Sequence, residues 1–199
     1  GTPVRLSERD DRAPALTLDA DGSTVRGHLG YRSARATHGV RSGGTWYWEA
    51  TLVAVDPAGV TGNVRVGWST RRADVETPVG YAHGSFGLRD RSGEVVTAAR
   101  LRPYLPPLRS GDVVGLALTL PPVLSPEEDQ AVADAEAQWA VFKWNWRGHG
   151  KMPPDSGVTL TDAALRFAVN GEWGADVLGM PPPVAAAAGA GADAPAADA

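Results

Sequence analysis

The run Thr45-Trp46-Tyr47-Trp48-Glu49-Ala50-Thr51-Leu52-Val53 constrains the fold of this chain more than any other stretch. Aromatic and β-branched residues fill it, and these suit a pleated, half-buried surface. Period two puts Trp46, Trp48, Ala50 and Leu52 on one face and Tyr47, Glu49, Thr51 and Val53 on the other. One face is apolar throughout and the other is mixed, the pattern of a strand packed on a core. The turn signals Arg41-Ser42-Gly43-Gly44 and Asp56-Pro57-Ala58-Gly59 bound it. Asn63–Trp68 reads as the next strand, so a meander of antiparallel strands is expected, with Trp46, Trp48 and Trp68 in the core.

The rest of the chain repeats this theme. Leu16–Leu18 and Thr24–Arg26 flank Asp19-Ala20-Asp21-Gly22, a good hairpin turn. Residues 30–39 read as a further short strand. Ser85–Arg89 and Glu94–Thr97 are strands joined by the turn Asp90-Arg91-Ser92-Gly93. Residues 100–111 are Pro-rich and read as loop. Val113–Leu120 is a continuous apolar run, a buried strand. Ser125-Pro126-Glu127-Glu128 has the form of a helix start: Ser as cap, Pro at the first helical position and Glu soon after. An acidic helix to about Gln138 and a strand-like Trp139–Trp146 follow. Leu165–Val169 is a strand, and Asn170-Gly171 is a strong hairpin turn. From Pro181 only Pro, Val, Ala, Gly and Asp remain, too little bulk to offset ordering entropy, so residues 181–199 are expected to be disordered. Many short strands with regular turns give an all-β fold, an antiparallel β-sandwich.

Composition narrows the function by exclusion. The chain has no cysteine, which removes disulfides and thiolate metal sites. His28, His38, His83 and His149 are scattered, with no metal-ligand spacing among them. Asp10 and Asp11 are adjacent and would point to opposite sides of an extended chain, a poor catalytic pair. There is no nucleophile elbow and no phosphate-binding glycine loop. No catalytic residue, metal or cofactor is therefore expected, and the chain reads as a binding module rather than an enzyme. No apolar run approaches the length of a membrane span, and no membrane partner is expected. Net charge is −4, but residues 30–110 hold 11 Arg against 6 Asp and Glu, while the remainder holds 8 basic against 17 acidic residues. A basic body in an acidic chain points to an acidic partner for that body. Nucleic acid is disfavoured by the acidic pI of about 5.5; Trp144 and Trp146 with Lys143 and Arg147 are its one support.

A series of short motifs then acquires meaning together: Asp11-Arg12-Ala13-Pro14-Ala15-Leu16, Gly30–Arg41 with Arg35-Ala36-Thr37-His38-Gly39-Val40 inside it, Thr45-Trp46-Tyr47-Trp48-Glu49, Arg65-Val66-Gly67-Trp68-Ser69, Pro78-Val79-Gly80-Tyr81, Gly111–Gly115 and Val169-Asn170-Gly171. In this order and spacing they resemble the SPRY domain. More narrowly they are similar to the SPRY domain of the Ash (absent, small or homeotic discs) subunit of COMPASS-type complexes. The resemblance is dense over residues 11–120 and thin from there to Gly171. It implies a domain over residues 11–180, after an extension at 1–10, with a variable insert over about 121–160. The family's final strands, and its C-terminal helical motif for a small dimeric partner, have no match here.

The resemblance implies a non-catalytic nuclear scaffold. Such a subunit holds an acidic, phosphorylatable segment of a retinoblastoma-binding-protein-like partner and supports the SET-domain subunit that methylates lysine four of the histone-three tail. The positions matching the family's partner-binding surface are Tyr31, Arg65, Pro78, Tyr81 and Arg89, with Arg91 where the family has a basic residue. Guanidinium groups hold carboxylates and phosphates through paired, charge-assisted bonds, which suits an acidic ligand. The alternative is a generic SPRY adaptor, such as a ubiquitin-ligase substrate receptor, that binds a different peptide.

Overall fold

The computed structural model describes residues 4–7, 12–27, 30–40, 43–53, 64–71, 73–82, 84–121, 125, 127, 130 and 163–180. They include ten strands: β1 (Leu16–Leu18), β2 (Val25–Gly27), β3 (Gly44–Thr51), β4 (Arg65–Ser69), β5 (Ser85–Arg89), β6 (Val95–Thr97), β7 (Arg100–Arg102), β8 (Val113–Leu120), β9 (Ala164–Val169) and β10 (Glu172–Trp173). One four-stranded sheet has the order β10-β9-β8-β3 and a second the order β4-β5-β6-β7, with β1 and β2 as a separate hairpin. Every pairing is antiparallel.

The two larger sheets face each other across one core. Cross-strand partners share a face, so the pairs Trp48–Leu116 and Leu116–Phe167 put these residues on the inner side of the first sheet. Leu88, paired with both Val66 and Val95, marks the inner side of the second. Leu88, Val95, Val114, Leu116, Leu165, Phe167 and Val177 form the buried cluster between them. Phe167 is fully buried and meets the Tyr104 ring edge-on, centroids 6.0 Å apart. Burying a side chain of this size stabilises the fold by about 1.5–3 kcal/mol. Tyr104 also keeps its polar end satisfied: its hydroxyl donates to the Ala175 carbonyl at 2.6 Å and accepts from the Phe167 N–H at 3.2 Å.

The turns follow their sequence signals. Asp19 accepts from the backbone N–H groups of Ser23 and Thr24 at 2.9 and 3.0 Å and so closes the β1–β2 hairpin. Asn170 and Gly171 both take positive φ, 51° and 87°, in the β9–β10 turn, where Asn and Gly are the residues that tolerate it. Glu127 and Gln130 are helical, in agreement with the capped start at Ser125. The remainder of that expected helix, the strand expected at Trp139–Trp146 and the tail 181–199 lie outside the described residues.

Four expectations are corrected. The strand at Thr45–Val53 and the one ending at Trp68 are not neighbours in a meander: β3 pairs with β8 and β4 with β5, in opposite sheets. Residues 100–111 are not all loop, because Arg100–Arg102 forms β7 against β6. Alternation over three residues between Pro and Gly signals is too short to register in the sequence. Residues 30–39 make only isolated bridges, Ala34 to Arg12 and Ala36 to Leu6. Finally, Trp46 and Trp48 lie on the inner face but remain 42% and 37% exposed. They sit on β3, the end strand of its sheet, opposite β4, the end strand of the other. A residue at the open side of a sandwich has the parity of a core residue without the cover of one.

Candidate functional site

The outer face of the β4–β7 sheet carries a small cationic and aromatic surface, and it is assembled from three segments. The first is the sheet itself. Arg65 on β4 is the direct cross-strand partner of Arg89 on β5. Val66 and Leu88 beside them are inner-face residues, so both guanidinium stems leave on the outer side.

The second segment is the loop at residues 78–82, which lies on that outer face. Its turn is closed by a hydrogen bond from the Tyr81 N–H to the Pro78 carbonyl at 3.1 Å. Gly80 has φ +88°, and a Cβ there would meet the Val96 carbonyl oxygen at 2.6 Å. Only glycine takes that conformation at that distance. The Gly80 N–H donates to the buried Ser85 hydroxyl at 2.7 Å, and its carbonyl accepts from the Ala99 N–H at 3.0 Å. Gly87 helps from below: a Cβ there would stand 2.8 Å from the Val79 carbonyl oxygen. The loop is therefore seated against the sheet, with Tyr81 standing out at 56% exposure.

The third segment, Tyr31–Ala36, is strapped to residues 69–77. Ser33 donates its N–H to the Val75 carbonyl at 2.8 Å and its hydroxyl to the Thr77 carbonyl at 2.6 Å. Arg32 pairs with Glu76 at 2.7 Å, and Arg35 donates to the Ser69 hydroxyl at 3.2 Å and to the Ala73 carbonyl. This strap brings the exposed Tyr31 ring to the Arg65 guanidinium, whose carbon lies 6.0 Å from the ring centroid. That is at the outer limit for a cation–π contact.

Arg65 is the hub. Its Nη1 reaches the Val79 carbonyl at 3.5 Å, a long bond, and its buried Nε has no hydrogen-bond partner. Burial, and next the Arg89 charge, lower the pKa of the Arg65 guanidinium from its usual value. Arg89 is partly neutralised by Glu94, at 3.6 Å, but its buried Nε is also without a partner. Glu94 in turn accepts from the Ser92 hydroxyl at 2.6 Å. Like charges directly opposite on adjacent strands oppose sheet pairing. The two guanidinium groups thus stand side by side on one face of the sheet, each with a buried, unpartnered Nε.

Of the six residues singled out in the sequence, Tyr31, Arg65 and Arg89 converge, and Pro78 and Tyr81 lie on the loop whose Val79 carbonyl touches Arg65. Arg91 stands apart. It is exposed in the β5–β6 turn, where its N–H donates to the Asp90 carboxylate at 2.8 Å. The sequence reading missed Glu94, which shares Arg89 and sets the local charge balance; a carboxylate five residues after Arg89 across a four-residue turn was the available signal. It also missed the Val79 carbonyl, a backbone group with no side-chain signature. None of the six lines the cavity of about 390 Å³ on the outer face of the other sheet, formed by Thr45, Ala117, Thr119, Ala164, Arg166 and Trp173. Among the described residues no group of three or more His, Asp or Glu is placed to hold a metal ion.

Residues 45–121, from β3 through β8, match the SPRY domain. The chain is 36% identical over 123 residues to the COMPASS component cclA of Colletotrichum higginsianum, covering 56% of this chain and 22% of that protein. It is 33% identical over 111 residues to the Set1/Ash2 histone methyltransferase complex subunit ASH2 of Drosophila melanogaster, covering 56% of this chain and 19% of that protein. It is 37% identical over 119 residues to the Set1/Ash2 histone methyltransferase complex subunit ash-2 of Caenorhabditis elegans, covering 59% and 20%. The chain thus spans about a fifth of the length of these curated relatives.

Proposed function

We propose that this chain, whose residues 45–121 match the SPRY domain and whose curated relatives are Ash-type COMPASS components, is a non-catalytic protein-interaction scaffold of a COMPASS-type complex. In that role it works in the nucleus, within an assembly that methylates lysine four of the histone-three tail, and supports the SET-domain subunit. Its task is to hold an acidic, phosphorylatable segment of a retinoblastoma-binding-protein-like subunit on the outer face of the β4–β7 sheet. Arg65 and Arg89 take the carboxylates or phosphates, Tyr31 and Tyr81 supply aromatic walls, Pro78 stiffens the loop, and Arg91 adds positive charge at the rim.

The observation that carries this reading is the Arg65–Arg89 pair. It opposes the fold locally, its buried Nε atoms have no partner, and the exposed Tyr31 ring lies over Arg65. A bound anion at the terminal guanidinium nitrogens relieves the repulsion. A hydrogen bond to a charged group contributes about 1.5–3 kcal/mol, so Arg65→Ala is expected to weaken an acidic peptide by roughly 10- to 150-fold. Arg65→Glu should cost more, and a phosphorylated peptide should bind more tightly than the plain one, since each phosphate adds about −1.5 to −2 charge. Calorimetric titration of wild type and variants with acidic and neutral peptides, with circular dichroism to check folding, tests the proposal. Equal affinity in wild type and a folded Arg65→Glu variant would remove Arg65 from the site and favour the generic adaptor.

A further inference from the structure

The Arg65–Arg89 pair continues into a third charge. Leu88 is the cross-strand partner of Val95, so the next position toward the turn sets Glu94 opposite Arg89, and the Arg89 N–H donates to the Glu94 carbonyl at 2.9 Å. The outer-face row that crosses β4, β5 and the entry to β6 therefore reads cation, cation, anion. The side chains follow the backbone: the Glu94 carboxylate lies 3.6 Å from the Arg89 guanidinium, with both side chains 28% exposed. The Ser92 hydroxyl donates to the same carboxylate at 2.6 Å and holds it in the turn.

This ion pair neutralises Arg89 without occupying its donors. Charge-assisted hydrogen bonds to a carboxylate run at about 2.7–2.9 Å, so 3.6 Å is an electrostatic contact and not a hydrogen bond. A partly exposed pair of that kind contributes little and is readily exchanged for a closer one. Its field reaches further. Burial and the Arg89 charge lower the Arg65 pKa, and the Asp90 and Glu94 charges oppose that lowering. Asp90 is turned to its own neighbour, its carboxylate accepting from the Arg91 N–H at 2.8 Å. Glu94 is thus the acid set beside Arg89, and it has two opposed effects. It relieves repulsion between the arginines in the free chain, and it occupies the field that an acidic ligand would use.

We propose that Glu94 is a built-in competitor of the acidic partner segment. In the free chain it stands where a ligand carboxylate would stand at Arg89. On binding, a ligand carboxylate or phosphate takes the terminal nitrogens of Arg89 at hydrogen-bond distance, and Glu94 keeps its bond from Ser92. The inference rests on the reading of Arg65 and Arg89 as the acidic-segment site. Its consequence is that Glu94 stabilises the free chain and weakens the complex. Replacing a residue that merely shapes the turn would lower both stability and affinity; replacing a competitor lowers the first and raises the second.

Glu94→Gln tests this, because glutamine keeps the size of the side chain and can still accept from Ser92. The probe is a synthetic peptide bearing a run of Glu, with a control peptide in which Gln replaces them, titrated by calorimetry against protein checked by circular dichroism. The variant should unfold at a lower urea concentration than the wild type and yet bind the Glu peptide about two- to fivefold more tightly, with no change toward the Gln peptide. In a double-mutant cycle the gain should shrink in an Arg89→Gln background, since the competition is for Arg89. Arg65→Glu, titrated in parallel, separates two kinds of failure. If Arg65→Glu binds the Glu peptide as the wild type does, the site itself is misplaced and the competitor falls with it. If Arg65→Glu loses binding while Glu94→Gln binds no more tightly than the wild type, or keeps its full gain without Arg89, Glu94 is a structural residue of the turn and the competitor alone is overturned.

Discussion

The guanidinium group of Arg65 is held by geometry rather than by a counter-ion. Its contacts are a carbonyl at 3.5 Å, a ring centroid at 6.0 Å and a second arginine across the strand pair. A planar fork fixed in that way can present two parallel donors, which the point charge of a lysine cannot. Arg65→Lys should therefore fold as the wild type does and bind an acidic peptide about tenfold more weakly; calorimetry that found equal affinity would mean that net charge alone is recognised. A different residue-scale balance operates at Asp19. Hydrogen bonds from the backbone of Thr24, with smaller ones from Ser23 and neighbouring side chains, lower its carboxyl pKa from the ordinary 3.8 to about 2. A carboxyl with a folded pKa below its unfolded value adds stability that is fully present above the unfolded value and is lost as pH falls through the folded one. The stability gap between wild type and Asp19→Ala should accordingly be constant above about pH 4 and shrink between pH 4 and pH 2, read from urea midpoints at a series of pH values. A gap that persists undiminished at pH 2 would assign the effect to packing.

Among the elements, the β9–β10 hairpin shows how one side chain joins several strands. The Asn170 side-chain oxygen accepts from the Val113 N–H at 3.0 Å and its amide donates to Asp112 at 2.9 Å. Asp112 also accepts from the Arg109 N–H at 2.6 Å, and the Asn170 bond, then the Arg109 bond, hold its carboxyl below the usual carboxylate range. Asn170 has φ +51°, a conformation that costs most residues about 1–2 kcal/mol. Asn170→Ala loses both bonds and keeps the strain, so a loss of about 1–3 kcal/mol is expected in urea unfolding, whereas Asn170→Gly should recover the turn and lose only the side-chain bonds. If the two variants are equally stable, backbone strain has no part in it. The same hairpin was legible in the sequence because Asn-Gly has a conformational meaning of its own. β3, β5 and β8 were legible because their alternation or apolar run is long enough to show a period. What sequence could not convey was pairing. β3 and β4 are consecutive strands with suitable turn residues between them, yet they belong to opposite sheets, and this is decided by long-range contact of β3 with β8. The exposure of Trp46 and Trp48 follows from that same pairing, since period two reports the face of a residue but not whether its strand is central or terminal. At the candidate site, Arg65 and Arg89 could be named from a motif, but their direct opposition across β4 and β5 is a matter of register.

At the scale of the whole molecule, charge is segregated along the chain. Residues 30–110 carry an excess of Arg, and the remainder an excess of Asp and Glu, although the net charge is only −4. Most of the described outer surface of the β4–β7 sheet belongs to the basic part. An acidic peptide of the kind proposed would be drawn to this basic sheet face, which biases the rate of encounter. Such steering acts over the Debye length, about 30 Å at 0.01 M salt and about 8 Å at 0.15 M. Removing one guanidinium at the centre of the site acts at contact distance and changes mainly dissociation. The two effects separate in a kinetic measurement. For the wild type, the association rate with an acidic peptide should fall by about tenfold or more between those salt concentrations, with a much smaller change in dissociation. For Arg65→Ala, the association rate should keep most of its salt dependence while dissociation becomes faster at every salt concentration. Stopped-flow fluorescence from the exposed Tyr31 and Tyr81, or from a label on the peptide, reads both rates. An association rate indifferent to salt would show that the basic body does not steer its ligand, and would leave the Arg65–Arg89 pair as a short-range contact only.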